Sequence, residues 1–259
     1  MRTSFNSMRG FGSILGLSLA LMANPALAQE EESKAVTVSG GVTLVSDYRF
    51  RGISQTDKDF AVQGSITVTH ETGLYASIWG STVDDYVAAG SDQEIDIIAG
   101  FKKTFGSTTV DVGGLYYYYP GSSKITPGYN SDFLEFYGSV AQGVGPVTAK
   151  LAVNFAPKQK ALAYLPLVAK EDNFYGNFSL SGTIPDTKLS LTAAIGRTFT
   201  RSFLSGGIKY TDWSVGASYT TGPVTLGISY VDTSAPRIPS PSGKDIYKGG
   251  IVASLGVAF

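Results

Sequence analysis

The sequence predicts an all-β fold, a transmembrane antiparallel up-and-down β-barrel of about 12 strands with short periplasmic turns and longer extracellular loops. Three observations predict it: an export signal at the N-terminus, segments with apolar residues at every second position, and connections that alternate between short and long. A period of two is typical of strands with two unlike faces, and a tilted strand crosses a bilayer with about 9–11 residues. A soluble sandwich has no reason to sort its loops by length.

Residues 1–28 are predicted to be a cleaved signal peptide, which leaves residues 29–259 as the outer-membrane barrel domain. Two arginines supply a positive N-terminal region, and residues 10–22 form a short apolar core. The sequence Ala-Leu-Ala at positions 26–28 is a cleavage site of the A-x-A kind. The apolar core is too short to be a transmembrane helix.

The composition of the chain excludes several classes of protein. Cysteine is absent, which excludes a small secreted domain held by disulfides, and the net charge of −1 gives no strongly basic face for nucleic acid. After the signal no apolar run approaches about 18 residues, so a helical membrane protein is also excluded. The 31 glycines, 15 tyrosines and 14 phenylalanines instead suit curved sheets with aromatic rims.

Twelve segments are predicted as strands because their apolar residues alternate with polar or small ones. They lie at about residues 36–51, 60–69, 74–81, 94–101, 109–118, 134–140, 147–155, 173–182, 188–198, 207–220, 224–230 and 246–259. In the last segment Ile251, Leu255 and Val257 form one apolar row, and Phe259 ends it. An even number of strands places both ends of the barrel on the periplasmic side. The last strand is therefore expected to pair with the first and close the barrel.

The connections between these segments are of two kinds. Tight ones contain glycine or proline and lie at residues 70–73, 102–107, 143–146, 183–187 and 221–223. The chain also turns at residues 55–59, and longer connections lie at residues 83–92, 120–131, 156–172, 199–206 and 232–245. The longest carries an apolar patch at residues 161–169, for which two interpretations stay open: it dips into the pore, or it forms a short helix.

The two faces of the strands are assigned by environment. In a membrane barrel the apolar face points to lipid, and aromatic rings with one polar edge lie at the level of the headgroups. The aromatic residues near strand ends are predicted to form such girdles: Tyr48, Phe50, Tyr116, Tyr118, Trp213, Tyr219, Tyr230, Tyr247 and Phe259. Residues on the other face of the strands, at the alternate positions, are the candidates for lining the pore: Asp47, Arg49, Arg51, Glu94, Asp96, Asp111, Glu135, Tyr137, Lys150, Asn154 and, near the outer mouth, Lys248.

Opposite charges inside one lumen have two interpretations. In the first, salt bridges brace or plug the interior, since buried charges need partners. In the second, rings of arginine and carboxylate form a constriction that selects permeant ions by charge. The two are compatible with each other.

Catalytic and metal sites are not expected. His70 is the one histidine of the chain, and it falls in a predicted periplasmic turn, away from any group that it could serve as a general base. One histidine and no cysteine also leave no cluster of metal ligands. The prediction is therefore a protein without catalytic residues, metal or cofactor.

A decapeptide near the end of the first predicted strand carries a family resemblance. Its residues are Ser46, Asp47, Tyr48, Arg49, Phe50, Arg51, Gly52, Ile53, Ser54 and Gln55, followed by Gln63-Gly64, Gly73-Leu74-Tyr75, Trp79 and Glu94-Ile95-Asp96. With these motifs the chain resembles the TorF family of porins from Gram-negative outer membranes. The terminal Phe259 is also similar to the assembly signal of many outer-membrane barrels. The resemblance implies a porin-like role without assigning a solute.

The predicted function is passive diffusion of small hydrophilic solutes across the outer membrane of a Gram-negative cell. The alternative is a structural or adhesive barrel with a closed lumen, whose long loops bind a partner. The expected partners are outer-membrane lipid and, through the strand that ends at Phe259, the barrel-assembly machinery. Nucleic acid is not expected, and the oligomeric state stays open.

Overall fold

The structure, a computed structural model, describes residues 35–122, 130–163 and 170–259. Within these residues, twelve strands form one closed antiparallel barrel and two short strands form a separate hairpin. The predicted barrel fold is therefore confirmed. The predicted signal peptide lies outside the described residues. In the described part of the chain, no helix is long and apolar enough to cross a membrane.

The elements follow one another with few interruptions. In chain order the strands are β1 (Val36–Val45), β2 (Arg49–Phe50), β3 (Ile53–Ser54), β4 (Ala61–His70), β5 (Leu74–Thr82), β6 (Gln93–Phe105), β7 (Thr108–Tyr118), β8 (Phe133–Val144), β9 (Val147–Gln159), β10 (Glu171–Thr183), β11 (Leu189–Thr198), β12 (Thr211–Thr221), β13 (Val224–Thr233) and β14 (Gly250–Ala258). Single turns of 3-10 helix lie at Lys160–Leu162 and Phe203–Ser205.

The barrel closes where β1 meets β14. Across that seam Val42 lies opposite Val257 and Leu44 opposite Leu255. On its other side β1 pairs with β4 along its whole length, and every later barrel strand pairs with its neighbours in the chain. Closure gives partners to the N–H and C=O groups that would otherwise lie at two free edges. The predicted pairing of the first and last strands is confirmed.

The two faces of each strand differ as the alternation predicts. In β14, Ile251 is 68% exposed and Leu255 is 45% exposed, whereas Val252 and Ser254 between them are 0% and 7% exposed. The same alternation continues around the barrel, so that large apolar side chains cover its outside. Most of the polar and charged strand residues face the lumen. This is the reverse of a soluble barrel, whose apolar face points inward.

Most of the predicted girdle residues lie exposed on the outer surface: Tyr116, Tyr118, Trp213, Tyr219, Tyr230 and Phe259. The prediction is wrong for Tyr48, Phe50 and Tyr247, which are 1%, 7% and 4% exposed. The reason is that these three do not belong to the wall. β1 ends at Val45 and β14 begins only at Gly250, so the parity of the strands does not extend to them.

The two ends of the barrel differ in the length of their connections. At one end the strands are joined by residues 71–73, 106–107, 145–146, 184–188 and 222–223. At the other end they are joined by residues 46–60, 83–92, 119–132, 160–170, 199–210 and 234–249. The predicted sorting of the connections by length is confirmed. These ends are called the short-turn end and the long-loop end.

The first long connection folds into the barrel. Every residue from Asp47 to Asp57 is buried, and this segment is called the plug. At its centre β2 and β3 pair as a hairpin, whose two turn residues, Arg51 and Gly52, have φ angles of 50° and 83°. Positive φ at both positions is typical of two-residue type I′ hairpin turns. The prediction of a first strand that reaches Arg51 is therefore wrong, because the chain turns inward after Val45.

Gly52 is the one glycine of the plug, and its surroundings leave no room for a side chain. A Cβ atom at this position would lie 2.5 Å from Cγ2 of Thr233 and 2.9 Å from Cβ of Asp212. We expect Gly52→Ala to lower the free energy of unfolding by about 1–3 kcal/mol or more, because it adds crowding to an unfavourable backbone conformation. Urea unfolding of the refolded barrel, followed by tryptophan fluorescence, measures this loss.

Gly222→Ala is the matched control for this prediction. Gly222 also has a positive φ, of 56°, but no atom lies within 4 Å of the position that its Cβ would take. We expect this variant to lose the backbone contribution alone. Equal losses in the two variants would contradict the packing of the plug against β12 and β13.

Candidate functional site

The lumen is the candidate functional site, and it is divided into two layers. At the long-loop end the plug fills the lumen and contacts side chains from several strands of the wall. Toward the short-turn end the lumen is lined by hydroxyl and amide groups and by a second group of charged residues. The two layers differ in how their charged side chains are paired.

Arg49 ties the plug to the loop that precedes β14. Its Nε lies 2.6 Å from Oδ2 of Asp47, and the hydroxyl of Ser54 donates to the other oxygen of that carboxylate at 2.6 Å. Its Nη1 donates to the carbonyl oxygens of Gly52 at 3.0 Å, Ile246 at 3.3 Å and Lys248 at 3.1 Å. Because Arg49 is 1% exposed, its charge is neutralised inside the protein and does not face solvent.

Arg51 ties the plug to the opposite wall. Its Nη2 lies 2.6 Å from Oε2 of Glu135 in β8, and its Nη1 donates to Oδ1 of Asn173 in β10 at 2.6 Å. The guanidinium also lies 4.6 Å from the ring centroid of Phe50 and 4.4 Å from that of Tyr175. Arginine suits such a site because its planar group makes hydrogen bonds along its edge while aromatic rings cover its faces.

Strands β6 and β8 present three carboxylates to the plug, and two of them are held by donors. Glu94 accepts hydrogen bonds from the hydroxyls of Tyr48 at 3.0 Å and Tyr119 at 2.9 Å. Glu135 accepts from the amide of Asn154 at 2.9 Å in addition to its contact with Arg51. The third is Asp96, which is 0% exposed and has no partner for either carboxylate oxygen among the described residues. Leaving such a group unpaired costs stability, and no contact of Asp96 anchors the plug.

Two further long connections cover the plug from outside. In residues 83–92 the hydroxyl of Tyr86 donates to the carbonyl oxygen of Ser54 at 2.7 Å, and burial raises the pKa of this hydroxyl, which keeps it protonated as a donor. In residues 234–249 the hydroxyl of Ser242 donates to Oδ2 of Asp57 at 2.6 Å, and Nζ of Lys244 donates to the Asp57 carbonyl at 2.8 Å. The plug is therefore held by the other long loops as well as by the wall.

The second layer lies on the short-turn side of the plug. The hydroxyl of Tyr75 donates to Oδ1 of Asp111 at 2.8 Å and is also hydrogen-bonded to the hydroxyl of Tyr137. Nζ of Lys102 lies 5.6 Å from the ring centroid of Tyr75. Lys150 reaches the same region from β9 and lines a cavity of about 10 Å³, enough for a single water, together with Asp111 and Tyr137.

The predicted pore-lining residues lie inside the barrel with one exception. Those that are buried are Asp47, Arg49, Arg51, Glu94, Asp96, Asp111, Glu135, Tyr137 and Asn154. Lys150 is half-buried, while Lys248 is exposed in the loop before β14 and contacts Arg49 through its carbonyl oxygen alone. Whether the buried residues line a path for solutes stays a prediction.

Sequence analysis missed several residues of the lumen: Tyr75, Lys102, Tyr117, Tyr119, Asn173, Tyr175 and Asp212. The alternation that found the other candidates places most of these inward too, so the signal was present. Lys102 is the exception, because its position is predicted to be a turn. In the structure β6 continues to Phe105, and Lys102 lies within it.

The remaining predictions about single residues concern His70 and the patch at residues 161–169. His70 ends β4 at the short-turn end, and its Nδ1 is hydrogen-bonded to Oγ1 of Thr72 at 2.8 Å. In the patch, Ala161, Leu162 and Ala163 are buried at 4%, 0% and 6% exposure, and the first two join the apolar cluster around the plug. Residues 164–169 lie outside the described residues.

Comparison with solved structures places the fold among channel-forming barrels. The fold is similar to that of the NanC porin, with a TM-score of 0.54 and 11% sequence identity over 86% of this chain and 99% of the other. It is also similar to an outer membrane channel from Pseudomonas putida F1, with a TM-score of 0.52 and 12% identity over 91% and 98% of the two chains. At these identities the likeness concerns the fold alone.

Comparison by sequence then assigns the family. The chain belongs to a family of bacterial proteins of unknown function, Gcw_chp, which it matches over residues 29–259. No curated protein matches it in sequence. The resemblance to the TorF family is not tested by this match and stays a prediction.

The pair formed by Arg51 and Glu135 gives a test of how the plug is held. We expect Arg51→Ala to lower the free energy of unfolding by about 3–5 kcal/mol, because it leaves the charge of Glu135 buried without a cation. The double variant Arg51→Met with Glu135→Leu removes both charges and should recover much of that loss. Urea unfolding of the refolded barrel measures both values. A double variant no more stable than Arg51→Ala would contradict the role of the ion pair.

Proposed function

We propose that the protein is a porin-like channel of the Gram-negative outer membrane that passes small hydrophilic solutes. The observation that carries this proposal is a closed twelve-stranded barrel with an apolar outside and a largely polar inside. A cleaved signal peptide at residues 1–28 exports the chain, and the short-turn end faces the periplasm. The resemblance to the TorF family supports the same function.

The outside of the barrel supports outer-membrane lipid as its partner. Large apolar side chains on the outer face, among them Val42, Ile97 and Leu226, are 53%, 52% and 53% exposed. Exposed apolar surface over a whole barrel is costly in water and favourable in hydrocarbon. Phe259 is 77% exposed at the end of β14, where the barrel-assembly machinery would recognise it.

The plug is proposed to form the constriction of the channel. Eight-stranded barrels are filled by side chains and sixteen-stranded ones leave an aqueous channel, so about twelve strands leave a narrow lumen. In this barrel Asp47, Arg49 and Arg51 and the wall residues around them occupy the long-loop half. Solutes therefore pass only where the plug shifts from its anchors, and the half of the lumen toward the short-turn end leads to it.

One observation favours the second candidate function, a structural or adhesive barrel with a closed lumen. The plug is buried along its whole length from Asp47 to Asp57, and both of its arginines are neutralised by carboxylates. A lumen closed in this way would leave the long loops as the functional surface. The two candidates differ in one measurable property, the permeability of the barrel.

Conductance of the refolded protein in planar bilayers tests the proposal directly. We expect discrete conductance steps and, in liposomes, uptake of a small sugar, because a shift of the plug opens a polar lumen to hydrated solutes. Absence of both the steps and the uptake would contradict the channel and favour the closed barrel. Heat-denatured protein, which lacks the barrel, is the control.

A disulfide placed between the plug and the loop above it tests whether the plug forms the constriction. Asp57→Cys with Ser242→Cys joins two side chains whose polar atoms are 2.6 Å apart, in a chain that has no other cysteine. We expect oxidation to reduce conductance and reduction to restore it, since an immobilised plug cannot leave the lumen. The single variant Asp57→Cys under the same oxidant is the control. Equal conductance in the two redox states would contradict the role of the plug.

A further inference from the structure

We propose that the half of the lumen between the plug and the short-turn end is an anion site, and that its two lysines make the channel prefer small carboxylate- or phosphate-bearing solutes. This inference rests on the proposed function in one respect, that solutes pass through this half. The residues are Lys102 in β6 and Lys150 in β9. Neither belongs to the network that anchors the plug.

Strand register places the two lysines on the same inner face. Lys102 lies opposite Asp111, and Asp111 lies opposite Ser139 in the next strand. Lys150 lies opposite Ala141, two residues beyond Ser139, and so is a diagonal neighbour of Ser139 on the lumen side. Both lysines are half-buried, so that part of each side chain stays exposed, as is typical of lysines whose stems lie along a wall.

The charge of these lysines is not neutralised within the protein. Among the described residues, neither ammonium group has a carboxylate within 4.0 Å or a hydrogen-bond acceptor. The nearby carboxylate is Asp111, which is 4% exposed and accepts a hydrogen bond from Tyr75. Two cations and one buried anion leave this half of the lumen with a net positive charge.

The cations of the plug layer are arranged differently, because each of them is paired with a carboxylate. There Arg49 faces Asp47 at 2.6 Å and Arg51 faces Glu135 at 2.6 Å, so those charges have little effect on a passing solute. A lumen lined by one sign of charge between walls of low dielectric constant concentrates ions of the opposite sign. Lysine rings are a known basis of selectivity in anion and phosphate pores.

The lining of this half suits a small oxyanion. The hydroxyls of Ser139 and Ser179 lie on the inner face beside the lysines, with Ser179 directly opposite Lys150 in register. Hydroxyl donors and ammonium groups together complete the hydrogen-bond shell of a carboxylate or phosphate that enters from the short-turn end. Large apolar side chains that would exclude such a solute lie mostly on the outer face at this level.

Ion selectivity in planar bilayers tests the inference. Under a gradient of KCl we expect the wild type to prefer chloride, and Lys102→Gln with Lys150→Gln to reduce the anion-to-cation permeability ratio several-fold. Lys103→Gln is the matched control, because Lys103 is the next residue of the same strand, is exposed on the outer face and loses the same charge. It should leave the ratio unchanged. A wild type that prefers potassium, or a double variant with the ratio of the wild type, would overturn the proposal.

A binding measurement separates failure of this site from failure of the channel. Calorimetric titration of the refolded barrel in detergent with inorganic phosphate should show binding that the double variant loses and Lys103→Gln retains. If the wild type shows no conductance but binds phosphate in this way, the channel proposal fails and the anion site stands. Phosphate binding that is absent from the wild type, or equal in wild type and double variant, overturns the anion site whatever the conductance.

Discussion

The interior of the barrel depends on the contact between Arg51 and Glu135. It joins the plug to the wall across a lumen from which water is excluded, and removing two charges from water costs several kcal/mol for each ion. The structure offsets that cost with the amide of Asn154 on the carboxylate and with the rings of Phe50 and Tyr175 over the guanidinium. The other arginine of the plug, Arg49, pairs with Asp47 inside the plug itself, so Arg51 is the arginine that joins the plug to a charge of the wall.

The apolar core of the molecule follows from that anchoring. The outward rows of the strands face away from the lumen, so they contribute no internal core. The buried apolar cluster lies inside the barrel instead, where Tyr48 and Phe50 of the plug pack with Tyr117, Phe133 and Leu162. The rings of Tyr117 and Phe133 stack with centroids 4.1 Å apart. The plug therefore serves the wall as a core as well as closing the lumen.

The two layers of the lumen have different roles. The plug layer closes the lumen, and the other layer carries uncompensated charge. In the plug layer each arginine is neutralised, and the cost of burial is met by pairing. In the other layer Lys102 and Lys150 keep an uncompensated charge, and part of each side chain stays exposed. A wall built from one repeating strand pattern supports both layers, since only the residues on its inner face differ. This separation is what allows selectivity and constriction to be altered independently.

The sequence by itself determined the number of strands, their two faces and the sorting of their connections, because each of these is a local property with a period of two. It determined strand ends less well, and for that reason Lys102 is predicted in a turn. Only the tertiary structure decided that Asp47 to Asp57 leaves the wall. Tyr48 and Phe50 keep the parity of the first strand, while the contacts that hold the segment inside come from residues of the wall and the other loops 32 to 199 positions away in the chain, which no local pattern specifies.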